Sequence, residues 1–289
     1  MGRTTASFLR ATAALAALAT CAALAAPYPV GDRTLQLPAP PGLVRISDSL
    51  PALMKTFESY APAESRVVDA YLTAEDHAAL SANALAPLQR YAQLAVHRGS
   101  EVTPMSATGF RANLAVMERA VEQTMPTLAD RTRAQTTRGN AEIERQYGVD
   151  VDARIGAVGY HGVHRREDWG LFFSTTMNVT TQVEPASQRL FAASAMALVD
   201  NRFLIFNVYA EDEGHAHRWA LSTLDAWVDA TRQANPDDPG RELRAVLQVG
   251  AVSRTALLAA TAVTVIGAAV VIVVLRRRRR SGHGGPREH

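Results

Sequence analysis

The 289-residue chain holds a single cysteine, Cys21, and a single lysine, Lys55. Cys21 falls inside an N-terminal apolar segment that reads as an export signal, so the exported chain has no disulfide, no thiol nucleophile and no cysteine-based zinc site. Lys55 sits in the helix-like run LMKTF without a glycine-rich approach, which excludes a Walker-type phosphate loop. No G-x-S-x-G elbow occurs, and the serines near turns, such as Ser106 and Ser174, have no neighbouring base in sequence. Positive charge is also scarce where a folded domain would carry it. The formal net charge is +2, yet residues 1–26 contribute Arg3 and Arg10, and residues 276–289 contribute six arginines against Glu288. Residues 27–275 are left with 22 basic and 27 acidic side chains, a net of −5. The electrostatic footprint of a nucleic-acid binder is missing from this part, and no nucleic-acid partner is expected.

What is present first is two apolar segments. Arg3 and Arg10 precede a small-residue-rich run from Ala11 to Ala26 that ends in Ala23-Leu24-Ala25, the small-x-small pattern of signal cleavage. Two alternatives stand beside it: an uncleaved anchor, and lipid attachment at Cys21. Thr255 to Leu275 is a run of 21 residues without a charge. At 1.5 Å per residue it spans about 31 Å, the thickness of the hydrocarbon core. Arg276, Arg277, Arg278, Arg279 and Arg280 follow at once and set the cytoplasmic end. The alternatives here are a buried core helix and a sorting tail removed after export. The organisation expected is a signal peptide over residues 1–26, an extracytoplasmic domain over 27–240, a juxtamembrane linker over 241–254, a transmembrane helix over 255–275 and a basic cytoplasmic tail over 276–289. This describes a single-pass inner-membrane protein with its bulk in the periplasm. Ala256, Ala260, Thr264 and Ala268 recur every four residues in the span, a stripe that would let two copies pack as a homodimer.

Within the exported region, Thr34–Leu37 alternates as a strand and Leu43–Ile46 resumes extended chain after Pro38-Ala39-Pro40-Pro41-Gly42. Ser49 reads as the N-cap of a helix whose Leu53, Phe57 and Tyr60 should pack on a sheet. Strands are expected over Ser65–Leu72 and Arg90–His97, with a short helix opening at Thr73. Phe110, Leu114, Met117, Val121 and Met125 fall at helical spacing up to Pro126. Asp130–Gln146 carries Ile143 as its one large aliphatic residue and reads as a solvated helix, a loop or a partner surface. Four β-rich stretches, from Arg154, Leu171, Arg189 and Arg202, read as an antiparallel meander, with Glu167-Asp168 at a turn before Trp169. A helix closes the domain from Gly214 to Ala234. This order predicts an α+β fold, mainly an antiparallel sheet covered by helices.

Three stretches, TLQLPAPPGLVRI as an opening hairpin, RFLIFNVYAED ending the meander, and the closing helix HRWALSTLDAWVDATRQAN, give the region an architecture that resembles the PsbP-like superfamily. The resemblance covers about residues 30–236 and is one of architecture. It implies a binding or assembly-accessory module and carries over no catalytic motif.

Two histidine-bearing stretches invite chemistry. In Glu211-Asp212-Glu213-Gly214-His215-Ala216-His217, carboxylates and imidazoles suit a divalent metal. His215 and His217 point roughly 200° apart on a helix and cannot chelate one ion together, whereas Glu213 and His217, at i and i+4, can. The plainer reading is a set of acids at a helix N-terminus, stabilised by its dipole. His161 and His164 lie three apart on an expected strand and face opposite sides unless a bulge intervenes, which Gly156, Gly159 and Gly162 at steps of three could supply. Most aromatic residues are in the second half, from Tyr160 to Trp227, and read as core, with an exposed subset able to form a peptide- or glycan-binding face. The leading reading is a membrane-anchored extracytoplasmic binding or accessory module, without a cofactor. Its rivals are a metal-assisted or acid-base envelope hydrolase using some of His161, His164, Glu211, Asp212, His215 and His217, and a structural protein dimerising through its span.

Overall fold

The computed structural model describes residues 25–82, 88–148, 150, 152–181 and 188–238. The strands are β1 (Ala26–Val30), β2 (Arg33–Leu37), β3 (Leu43–Arg45), β4 (Ser65–Thr73), β5 (Arg90–His97), β6 (Arg154–Glu167), β7 (Gly170–Thr180), β8 (Gln188–Val199) and β9 (Arg202–Glu211). The helices are α1 (Pro51–Tyr60), α2 (Ala74–Ser81), α3 (Arg98–Val102), α4 (Ala107–Thr124), α5 (Leu128–Arg131), α6 (Arg133–Tyr147) and α7 (Gly214–Ala234). Strands β3 to β9 form one seven-stranded sheet in the order β3-β4-β5-β9-β8-β7-β6, antiparallel at every pairing, while β1 and β2 form a separate hairpin. The fold is α+β with a large antiparallel sheet. Among the described residues no helix is long and apolar enough to cross a membrane. The expected span at 255–275, the tail with Arg276–Arg280 and nearly all of the expected signal lie outside the described residues.

The sheet is apolar on both faces, and each face has its own cover. On one face, Phe191, Ala193, Ala195, Leu204, Phe206 and Val208 pack against Ala220, Leu224, Trp227 and Val228 of α7 and against Val30, Leu35 and Leu37 of the hairpin. On the other face one cluster gathers Phe110, Leu114, Met117 and Val121 of α4, and a second gathers Leu53, Met54 and Phe57 of α1. The periodic apolar residues therefore fall where a 3.6-residue repeat requires. Local signals fix the ends. Ser106 Oγ accepts from Gly109 N at 3.0 Å and starts α4. Thr73 Oγ1 accepts from Asp76 N at 3.1 Å and starts α2. Asp200 and Asn201, with φ of 45° and 63°, close the two-residue turn from β8 to β9.

Three expectations need correction. TLQL and LVRI do not form a hairpin together: β2 pairs with β1 through a two-residue turn at Gly31-Asp32, and β3 leaves to pair with β4. Gly31, at φ 62°, allows that tight turn, whereas the proline-rich segment 38–41 carries the chain away. Ser49 does not cap α1. With Pro51 in the first turn the cap falls on Leu50, and Ser49 Oγ instead lies 2.8 Å from His77 Nε2. Residues 133–147 are neither loop nor wholly solvated: α6 buries Thr136, Gly139 and Ile143 and packs on α1, the Tyr60 ring covering Gly139 and Tyr60 OH donating to Asn140 Oδ1 at 2.8 Å.

Candidate functional site

Helix α7 packs over β8 and β9, and the α7 side of β6 and β7 forms a strip along its flank that, among the described residues, α7 meets through Asp225 and Asp229. Three of the four histidines noted in the sequence, His161, His164 and His217, lie along this strip. The β6–β7 pairing shifts register three times, between Ile155 and Val158, Tyr160 and Gly162, and Val163 and Arg165. Each shift adds a residue to β6, so His161 and His164 both turn toward the α7 side rather than to opposite faces. His161 lies 6.0 Å from the ring of Phe191, and His164 lies 6.1 Å from the ring of Phe172. Both phenylalanines belong to the cluster under α7.

The acidic stretch at the start of α7 divides. His217 stacks on Phe191 with ring centroids 4.0 Å apart, and its Nε2 is bonded to Asp212 Oδ1. Asp212 Oδ2 is held in turn by Arg189 at 2.8 Å. His215 turns elsewhere, with Nε2 3.1 Å from an Arg90 guanidinium nitrogen, and Arg90 lies over Trp219. Glu213 occupies the N-cap position without a side-chain cap bond. The dipole reading is therefore incomplete for Asp212, which is a side-chain partner of His217 and Arg189. The i, i+4 pair Glu213–His217 is not what holds His217. Among the described residues no group of three or more His, Cys, Asp or Glu side chains is arranged to hold a metal ion.

Further along α7 Asp229 is paired, whereas Asp225 Oδ1 is buried without a hydrogen bond. Arg165 binds Asp229 through two nitrogens, at 3.0 and 2.9 Å, and Glu167 through Nε at 3.1 Å. His164 Nε2 lies 3.6 Å from Asp225. Burial lowers the pKa of His164, and the Asp225 carboxylate opposes that shift. No protein-family model matches the chain, and no curated protein matches it.

Beside Ser174, which the sequence marks only as a serine without a neighbouring base, the strip contains two groups that sequence reasoning did not single out. Ser174, Thr176 and Asn178 alternate along β7 on the same side as Phe172, opposite β6. Most of the aromatic mass is core, as expected: Phe172, Phe173, Phe191, Phe203, Phe206, Tyr209 and Trp227 are all buried. Two clefts lie away from the strip. One of about 560 Å³ lies between α6 and the start of β6, with Arg133–Asp130 and Arg154–Asp152 ion pairs on its walls. The other, of about 520 Å³, lies beside Trp169, with Arg111 bound to Asp168. Neither holds any of the histidines.

Proposed function

We propose that this chain is a membrane-anchored extracytoplasmic binding or accessory module, a reading that also fits the architectural resemblance to the PsbP-like superfamily. One observation supports it above the others. Asn235, just past the end of α7, accepts from Gln36 N at 2.8 Å and donates to Gln36 O at 2.7 Å, while Ala26 pairs with Leu37. The first strand and the last helix therefore finish side by side. With the signal cleaved, the span after residue 254 is the anchor left to the chain, and the end of α7 that leads toward it is fixed to the first hairpin.

The experiment is a pair of alkaline phosphatase fusions. A fusion at Pro239 is expected to be active and one at His289 inactive, and the reverse pair overturns the topology. A specific observation favours the rival hydrolase reading: Asp212 orients the His217 ring, as a carboxylate orients a catalytic base. Turnover of soluble envelope fragments that is lost in His217→Ala would replace the binding reading by that one.

A further inference from the structure

The β1–β2 hairpin is fastened to the domain at both of its ends. At the open end Gln36 is held by Asn235. The turn end rests on α3, a single helical turn, and Gly31 packs on it so closely that a Cβ there would fall 1.7 Å from Glu101 O. Arg66 donates through Nε to Glu101 Oε1 at 3.0 Å and through Nη2 to Pro29 O at 3.2 Å. Arg202 donates to Ser100 O at 3.2 Å and pairs with Asp32 in the turn. Between the two fastenings Val30, Leu35 and Leu37 belong to one buried cluster with Val68, Tyr71 and Trp227. The hairpin is a strap over an apolar part of the sheet, and its turn end is only as firm as α3.

Helix α3 in turn depends on an imidazole. His97, the last residue of β5, is 8% exposed and occupies the N-cap position, where its Nδ1 accepts from Gly99 N at 3.1 Å. The ring lies against Gly99, since a Cβ there would stand 3.0 Å from Cε1. That bond needs an unprotonated Nδ1. A proton on Nδ1 turns the acceptor into a donor, sets two N–H groups against each other and leaves the Gly99 N–H without an acceptor. Burial lowers the His97 pKa from its ordinary 6.5, and Glu64 opposes the shift. A state that releases the ring therefore binds the proton more tightly. The closed state has its full advantage above about pH 6.5 and loses it as pH falls below that value. The other charges around α3 are engaged, Arg66 with Glu101, Arg202 with Asp32 and Arg98 with Ala63 O. Asp69, which acts electrostatically on Tyr28 of β1, titrates in the opposite sense, but Arg45 and Ser47, which hold it, belong to the β3 side and not to the strap.

We propose that His97 is the trigger of an acid-opened strap: its protonation unlocks the start of α3, the turn end of the hairpin lifts about the Gln36–Asn235 fastening, and the apolar surface of Val68 and Tyr71 is uncovered. The device goes beyond the binding reading and rests on it only for the compartment in which an acid shift is met.

The test is hydrogen exchange of the full chain in detergent micelles, read by mass spectrometry from about pH 7.5 to about pH 5 and corrected for the intrinsic pH dependence of exchange. Opening of residues 28–35 should rise about tenfold or more toward acid, the factor that one unit of pKa difference supplies, while α4 keeps its protection. His97→Asn retains an N-cap acceptor that does not titrate, and its hairpin should stay closed to within about twofold over the same range. Ring-nitrogen chemical shifts of labelled histidine decide the matter even where that variant fails to fold. In the wild type they should show the proton on Nε2 at neutral pH and a second proton arriving over the interval in which the hairpin opens. Four results overturn the proposal: hairpin protection that does not change with pH, an equal acid response in His97→Asn, protonation of His97 that leaves the hairpin protected, or a loss of protection shared by α4 at the same pH. The phosphatase fusions test the compartment and leave these outcomes untouched.

Discussion

Replacing Gly139 by alanine offers a direct test of the packing between α1 and α6. In an exposed helix interior this substitution stabilises by about 1 kcal/mol, because alanine restricts the unfolded chain and suits the helix. Gly139 is buried instead, and a Cβ built on it would come within 3.0 Å of three atoms of the Tyr60 ring, Cδ1, Cε1 and Cζ. That ring is fully buried and anchored by its hydroxyl on Asn140. To admit the methyl group the ring must move, which strains its packing by about 1–3 kcal/mol. It also loosens a hydrogen bond worth about 1 kcal/mol. Against the propensity gain, the net expected is a destabilisation of about 1–3 kcal/mol. Urea unfolding followed by tryptophan fluorescence reads it directly. Tyr60→Leu also destabilises, by leaving a cavity, but removes the obstacle. In a double-mutant cycle the pair should therefore cost at least about 1 kcal/mol less than the sum of the singles. A Gly139→Ala variant as stable as the wild type or more so, with additive singles, would refute the close approach of the two helices.

Three further outcomes are expected. Burial raises the Asp69 carboxyl from 3.8 to about 6 despite Arg45 beside it, so between those values the folded chain holds a proton that the unfolded chain has released. The associated stability is present below about pH 4 and lost as pH rises through 6, about 3 kcal/mol in all, and Asp69→Asn should flatten that part of a pH series of urea midpoints; parallel curves for the two proteins would contradict the assignment. Asn235→Ala removes both bonds to Gln36 and should cost about 1–3 kcal/mol while quickening proteolysis of the β1–β2 hairpin, a change that equal cleavage rates would disprove. EDTA should leave the wild-type melting temperature unchanged, and Asp212→Ala should cost about 1–2 kcal/mol through the loss of both His217 and Arg189; a chelator-sensitive melt abolished by His215→Ala and His217→Ala would instead establish a metal site.

The elements that announced themselves in sequence did so by burying large side chains at regular spacing. Phe110, Leu114, Met117 and Val121 mark α4, and the bounds of α7 match the expected Gly214 to Ala234. The meander was legible because its strands are long and separated by turn residues, with β7 and β9 rich in β-branched and aromatic residues. Strand β1 was hidden for the opposite reason. Pro27 and Pro29 remove two ladder donors, and such a strand survives only in a hairpin outside the main sheet. Helix α6 misled because its contact surface is made of small residues. Thr136 and Gly139 let α1 approach closely, and a search for large apolar side chains overlooks an interface that works by their absence.

The candidate site was less legible because its geometry depends on bulges, and a bulge reassigns every side chain beyond it to the other face. Alternation alone separates His161 from His164; with the observed shifts both turn toward α7. The triplet of glycines was the one local sign of this irregularity, and the sequence offered no means of telling which face it would serve. Asp212 and His217, five residues apart, lie outside both helical pairing distances, since Asp212 precedes the helix and reaches back over its first turn. Ser174, Thr176 and Asn178 look like ordinary alternating polar residues of a strand with one wet face. The burial of Ser174 and Thr176 becomes visible only once the neighbouring strand is seen to place glycine against them, Gly162 opposite Ser174 and Gly159 opposite Thr176.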